Sequence, residues 1–413
     1  MIVGDGRANK RSKKTNKQIR EFKESKILEQ LAMDEQEEKQ RTTQSSSISK
    51  TRSSHRNHKS QSNSIPLDIT VEILSRLPAK SIVRSRSVCK LWSFVTTTPE
   101  FIRARSKKTS PPCVLLVFRK HDKLIVFSSP QHKDTYSHVE DCQITTPKNG
   151  FIRGFDFVHG LICMEGSKRL EIWNPTMKRF FTLPDPQGTG DGYYVGGFLG
   201  YEPIGGKYKA LCIVRGCNTQ VLTLGARESW RVITKGSPIH WPAKDCGRCI
   251  NGVIYYKAIC MPYRHALVSF DLRSESFGLI EFPMRDYVRF LMVSYEGRLA
   301  LISSIGSVVE LWSLEDSENL KYWSCKQFLF SLPANKRFKS LDLKGVTDAG
   351  ELIYTGMSLN GSFCVVYFDP KKDSIRETKF AAGNEIWQPD RLGFDLVNDF
   401  YVLPNHIESF ISL

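Results

Sequence analysis

The chain has 413 residues, 40% of them hydrophobic and 11% aromatic, which allows two or three domains and a sizeable core. No stretch approaches the roughly 18 consecutive apolar residues of a membrane helix, so no membrane partner is expected. The formal charge of +16 is uneven: residues 1–63 carry +7, residues 64–110 carry +6, and residues 111–413 only +3. A phosphate-tracking stripe is therefore not expected on the large C-terminal part, which argues against nucleic acid as its partner. The opening residues "MIVGDGRANKRSKK" lack an apolar secretory core, and the 11 cysteines are scattered without a compact framework. Both features fit reduced thiols and a place in the nucleus or cytoplasm.

Residues 1–63 are rich in Lys, Arg, Ser, Gln and Asn, and "RTTQSSSISKTRSSHRNHKSQSNS" has almost nothing to bury. A disordered basic tail is expected, because no burial offsets the entropy of ordering it. Within it, "IREFKESKILEQLAMDEQEEK" places Phe22, Ile27, Leu28 and Leu31 on one side of a transient helix. "KRSKK" (10–14) has the composition of a nuclear import patch, a weak signal in such a tail.

A compact helical block follows over residues 64–110. Pro66 stands at a helix start, where its missing N–H costs nothing. Leu67, Val71 and Leu74 form one apolar stripe, and Ile69, Ile73 and Leu77 a second beside it. Asp68 near the start and Arg76 near the end suit the helix dipole, and Pro78 stops the helix. A second helix carries Ile82 and Val83, a third Val88, Leu91, Trp92 and Val95, and "TPEF" (98–101) predicts a fourth with a Thr N-cap. So short a block cannot hide this much apolar surface, and with Cys89 its lone cysteine it has no disulfide to staple it. Either a partner protein or the rest of the same chain must cover the excess.

From residue 111 on, short runs rich in Val, Ile, Tyr, Phe and Trp alternate with Gly, Pro, Asp and Asn. A Gly precedes a strand at Gly160, Gly206, Gly252, Gly297 and Gly350, at intervals of 46, 46, 45 and 53 residues. Each is followed by further strands: "LEIWNP", "VLTL", "ALVSFDL", "VVELWSL" and "CVVYFDP". Such a period, with several strands per unit, predicts a β-propeller of six to seven blades over 111–413; an irregular pair of β-sandwiches is the alternative. The expected fold class is mainly β with a small N-terminal domain of three to four helices.

The stretch "IPLDITVEILSRLPAKSIVRSRSVCKLWSFVTTTPEF" resembles an F-box of the plant type. "IWNPT", "LGYEPIGGKYKALCI", "CINGVIYYKA", "LVSFDLRSESFGLIEFP" and "ELWSLED" resemble, in order, the type 3 F-box-associated, kelch-like β-propeller domain. The resemblance covers residues 64 to about 400 and implies the substrate receptor of an SCF ubiquitin ligase, a non-catalytic subunit with no cofactor. Its F-box would dock a Skp-type adaptor and, through it, a cullin. Its propeller would hold a protein substrate for ubiquitination and degradation. By resemblance Pro66, Leu67, Ile73, Leu74, Leu77, Pro78 and Ile82 face the adaptor, while Val88 and Trp92 are internal. Ser85 departs from the pattern, which commonly has an aromatic there; loss of that aromatic would loosen the block or weaken adaptor affinity.

The chemistry-bearing motifs are sparse. Cys246 and Cys249 form a CxxC, with Cys212, Cys217, Cys260 and His240 nearby but no second pair at metal-ligand spacing, so no metal is expected. "GTGDGYYVGG" (188–197) lacks the strand and helix context of a phosphate loop. No GxSxG elbow or HExxH helix appears, so no catalytic residue is assigned. Substrate contact is expected on loops rich in aromatic and Arg anchors: Tyr193, Tyr194, Trp241, Tyr263, Arg264, Tyr287 and Trp387. Two other readings remain: a propeller-only glycan-binding protein or oxidase-type enzyme, opposed by the F-box pattern, and nucleic-acid binding through the basic tail.

Overall fold

The computed structural model describes residues 65–411 except for 99–100, 103–104, 106–111, 121–122, 132–139, 146–153, 166–169, 188–193, 215–218, 226–228, 234–235, 237, 239, 243–246, 262–263, 284–289, 318–319, 333–337, 359–362 and 381–399. The tail expected over 1–63, with its helix and its "KRSKK" patch, lies outside the described residues. Ile65–Leu413 forms one compact unit.

Six antiparallel sheets account for the β part. The first is built from β1 (Cys113–Lys120), β2 (Lys123–Pro130) and β3 (Glu140–Thr145), with the last strand of the chain, β25 (Phe400–His406), on its inner edge. The second holds β4 (Gly154–Val158), β5 (Leu161–Glu165), β6 (Leu170–Asn174) and β7 (Arg179–Thr182). The third runs from β8 (Tyr194–Glu202) through β9 (Lys207–Val214) and β10 (Thr219–Thr223) to β11 (Arg231–Val232). In the fourth the inner strand is interrupted: β12 (His240–Pro242) and β13 (Arg248–Ile250) both pair with β14 (Val253–Cys260), followed by β15 (Arg264–Asp271) and β16 (Ser276–Ile280). The fifth comprises β17 (Leu291–Tyr295), β18 (Arg298–Ile305), β19 (Val308–Ser317) and β20 (Leu320–Leu329). The sixth comprises β21 (Phe338–Val346), β22 (Leu352–Ser358), β23 (Phe363–Asp369) and β24 (Ser374–Phe380).

The inner strands β4, β8, β13, β17, β21 and β25 touch one another in sequence, so the sheets are the blades of a closed ring. The propeller thus has six blades. Six apolar layers fill the gaps between neighbours. Trp173 and Phe155 lie between blades 1 and 2, Tyr256 and Phe270 between 3 and 4, and Tyr354 and Phe368 between 5 and 6. Closure depends on β25, which pairs with β1 from Cys113↔His406 to Phe118↔Phe400. A ring closed in this way has no free inner edge.

The glycine repeat marks equivalent places. Gly160, Gly206, Gly252, Gly297 and Gly350 all end the turn between the first and second strand of a blade, and all have positive φ. At His159-Gly160, Asn251-Gly252 and Glu296-Gly297 both turn residues are left-handed, with φ of 47° and 91°, 49° and 84°, and 50° and 75°. Two such residues make the two-residue hairpin whose twist suits the flanking strands. The turns between third and fourth strands share another device. Asn174, Asp271 and Asp369 each accept a backbone N–H two or three residues on, before a left-handed Lys178, Glu275 or Asp373 closes the loop.

Alternation of strand direction puts both kinds of turn at one end of the ring. The helical block lies at that end. It contains α1 (Leu67–Arg76), α2 (Ala79–Ser85) and α3 (Lys90–Val95). Phe101, Ile102 and Arg105 are also helical, and the Thr98 hydroxyl accepts the Phe101 N–H at 3.3 Å as the predicted N-cap. The other end of the ring carries the links between second and third strands and those between blades.

Candidate functional site

Helix α1 is apolar on two sides, and the two sides have different surroundings. Leu74 is 1% exposed and Ile82 of α2 is 0% exposed; they pack with Val95, Phe101, Met177 and Phe410. Met177 belongs to the β6–β7 turn of blade 2 and Phe410 to the segment after β25, so part of this core is supplied by the propeller. Val71, Leu77, Ala79, Val83, Leu91 and Trp92 pack against it. On the outer side Ile69 and Ile73 stay 48 and 46% exposed, and at the helix start Ile65 and Leu67 stay 53 and 38% exposed. The Glu72–Arg76 ion pair, 2.7 Å and exposed, lies on the same helix. It adds little, as exposed i,i+4 pairs do.

The adaptor-facing expectation is therefore corrected at two positions. Leu74 and Ile82 face inward and cannot present a free surface. Ile73 is on the outer side, Leu67 is exposed at the helix start, Pro66 and Pro78 are exposed, and Leu77 is half-buried. Ile69 belongs with the outer group although it was left out of the adaptor set; its place in the second stripe was the signal for it. Val88, expected inside, is 66% exposed, and Phe94 of α3 is exposed as well. Trp92 packs on the internal core as expected. Ser85 leaves no loose polar group: it is buried, and its hydroxyl donates to the Ile82 carbonyl at 2.7 Å.

A half-buried cation sits beneath this block. Arg86 donates from Nε to Thr96 Oγ1 at 3.0 Å, and from Nη2 to the Thr96 and Phe410 carbonyls at 3.0 and 2.9 Å. Its Nη1 points at Met177 Sδ at 3.3 Å. Burial, and secondarily the like charge of Arg179, pull its pKa below the usual guanidinium range.

Of the positions expected to touch substrate, Tyr194, Trp241 and Arg264 are described, at the opposite end of the ring. Tyr193, Tyr263, Tyr287 and Trp387 lie outside the described residues. The strand ends that flank them (β7 and β8, β14 and β15, β16 and β17, β24 and β25) all lie at this end. Tyr194 opens β8 and Arg264 opens β15, also at this end. Trp241 is 37% exposed on β12, in register with Ile259. A further apolar group was missed: Ile305, Val308 and Leu329 are exposed neighbours across three strands of blade 5, paired Ile305↔Val308 and Val308↔Leu329. Cross-strand register brings them together, which a linear reading does not show. They share a sheet face with Leu301 and Trp312, which packs toward blade 4. Trp241 shares with Ile259 and Leu267 the face of blade 4 that looks back.

Of the CxxC pair, Cys246 lies outside the described residues. Cys249 is taken up by the backbone of Tyr201, whose N–H approaches its sulfur at 3.3 Å. Burial pushes its thiol up to about 11. His240 is held between the Pro238 carbonyl and the Tyr256 hydroxyl, both at 2.7 Å, and burial lowers its pKa.

Comparison with known proteins agrees with this architecture. Residues 63–103 match the F-box domain, and residues 113–407 match the F-box associated beta propeller domain. An F-box protein of Arabidopsis thaliana is 76% identical over 372 residues, covering 89% of this chain and 96% of the relative. Two putative F-box proteins of the same plant are 46 and 39% identical over 380 and 388 residues, covering 87 and 88% of this chain and 98% of each relative. With a helical block that turns apolar side chains outward and a six-bladed ring behind it, this chain belongs to the plant F-box proteins that carry an F-box-associated β-propeller.

Proposed function

We propose that this chain is the substrate-recognition subunit of an SCF ubiquitin ligase and is not itself an enzyme. The observation that carries the reading is the exposed aliphatic group of Ile69 and Ile73 on the outer side of α1, with Ile65 and Leu67 at its start and exposed Pro66 and Pro78. Each aliphatic side chain gains about 1.5 to 3 kcal/mol on full burial, so four half-exposed ones supply several kcal/mol toward an association cost of roughly 4 to 15 kcal/mol. An F-box implies a Skp-type adaptor as the protein that covers such a stripe, and the adaptor links it to a cullin. The nucleus and cytoplasm, where such ligases work, are the proposed location. The substrate is a protein held at the far end of the ring, where Trp241, Ile305, Val308 and Leu329 offer apolar anchors. The seven loop positions expected from the sequence belong to that same proposed surface.

Pull-down of a Skp-type adaptor by the full chain tests the first half. Binding should be lost in Ile73→Asp and kept in Ile305→Asp. Proximity labelling with and without proteasome inhibition tests the second. Proteins that accumulate beside the wild-type chain but not beside an Ile305→Asp/Leu329→Asp variant are candidate substrates. An adaptor that binds Ile73→Asp as tightly as wild type would remove the basis of the receptor reading.

A further inference from the structure

The chain's last described residues, 407–411, lie between the helical block and the propeller and are bonded to both. On the F-box side, the Phe410 ring is buried among Leu74, Ile82, Val95 and Phe101, edge-on to Phe101 at 6.3 Å. Arg86 donates to the Phe410 carbonyl at 2.9 Å, and Arg105 reaches Glu408 at 2.8 Å while also donating to the Ser75 carbonyl at 3.0 Å. On the propeller side, Asn174 Nδ2 donates to the carbonyls of Ser409 and Ile411 at 3.0 and 3.2 Å, and the Ser409 N–H donates to Thr176 Oγ1 at 3.0 Å. Gly160 leaves the room for this segment: a Cβ there would stand 2.5 Å from Ser409 Cβ and 2.9 Å from the Ile407 carbonyl oxygen. Upstream, the same segment is continuous with β25, which is paired into blade 1.

We infer that residues 407–411 are a positioning clasp that fixes the angle between the F-box and the propeller, and so the line from adaptor to substrate. The inference rests on the receptor reading for its consequence in ubiquitin transfer, but the clasp itself does not. Docking with one hydrophobic face alone would leave rotation free. Here a buried ring sets the position, and directional hydrogen bonds to two different blade-2 residues set the rotation. A receptor whose two ends are held rigidly presents the same lysines to the transfer machinery at each encounter.

The test uses the full chain with Asn174→Asp/Thr176→Val, which alters only the propeller side. The aspartate keeps an acceptor for the Met177 N–H but loses both donor bonds to the clasp, and valine removes the acceptor for Ser409. Hydrogen exchange of the isolated chain should show residues 408–411 exchanging at least tenfold faster, with blade-core amides unchanged. In a complex reconstituted with a Skp-type adaptor, cullin and RING subunits and a conjugating enzyme, adaptor affinity should hold. The self-ubiquitinated lysines of the propeller, mapped by mass spectrometry, should spread from a restricted set to a broad one. A second variant, Phe410→Leu, should loosen the F-box side with the same spread. Unchanged exchange at 408–411 in both variants overturns the clasp. Faster exchange with an unchanged lysine pattern overturns the positioning role. Failure of the wild-type chain to bind the adaptor would strike the receptor reading and leave the exchange result standing.

Discussion

Adjacent residues of α1 should respond in opposite ways to substitution. Leu74 is 1% exposed and Ile73 is 46% exposed, although both are aliphatic and neighbours in sequence. Truncating Leu74 to alanine removes buried methyl groups from a core it shares with Phe101, Met177 and Phe410. Such changes cost about 2 to 5 kcal/mol, depending on how far the site collapses. Truncating Ile73 costs the free chain well under that, because much of its side chain is already wet. Replacing Ile73 by Asp is different once a partner covers it, since an uncompensated buried charge costs several kcal/mol. At 1.4 kcal/mol per tenfold, about 4 kcal/mol is a thousandfold in affinity. Urea titration followed by hydrogen exchange of residues 65–105 should show Leu74→Ala destabilised by that margin and Ile73→Asp within about 1 kcal/mol of wild type. Titration with a Skp-type adaptor should show the reverse order for Ile73→Asp. Equal stability of the two variants would refute the division of the helix into an inner and an outer side.

Other outcomes follow from particular side chains. His406 is buried, its Nδ1 has no partner, and burial lowers its pKa to about 4. The unfolded chain binds a proton near pH 6.5, so the stability this site contributes is complete above that pH and is lost as the pH falls toward 4, a change on the order of 3 kcal/mol. His406→Phe should flatten that part of the stability–pH profile. Gly160→Ala should destabilise far more than Gly306→Ala: both have positive φ, but a Cβ at Gly160 meets Ser409 while nothing lies within 4 Å at Gly306. Differential scanning calorimetry separates the two. Deleting residues 400–413 removes the inner strand of blade 1 and with it Phe400, Val402 and Leu403 from two inter-blade layers. Loss of the near-ultraviolet dichroism of the packed aromatics is the expected result.

Much of the propeller could be read from its sequence because its turns impose a chemical requirement. A left-handed residue is needed before the second strand in blades 2 to 6, glycine meets it most cheaply, and the same need recurs in each of those five blades. The interval of 53 before Gly350, against 45 or 46 elsewhere, reflects a longer fifth blade with ten-residue strands at β19 and β20. Blade number was less legible. The first blade takes its inner strand from the other end of the chain, so dividing residues by a period does not close the count. Nothing local in "FYVLPNH" marks it as the partner of "CVLLVF", because that pairing is decided by ring closure.

The helical block shows why pattern alone could not separate its inner side from its exposed side. A helix with apolar residues on both sides is a common solution when one side meets a core and the other a partner, and hydrophobicity is the same in both places. Leu67, Val71 and Leu74 read as one stripe, yet the structure leaves Leu67 exposed at the helix start and buries Leu74 about two turns later. What decides between the sides is Phe410, more than 300 residues away in sequence, whose ring occupies the inner side. Residues 408–411 are short, lie beyond the last strand and have no periodicity, so they carry no signal of their own. Their meaning comes from Asn174 and Thr176, which belong to the "IWNPT" turn. The Asn174 side-chain oxygen shapes that turn by accepting the Met177 N–H, and its side-chain nitrogen holds the clasp. A residue that reads as turn chemistry thus also joins blade 2 to the segment after the last strand, and that second use appears only when the ring is closed.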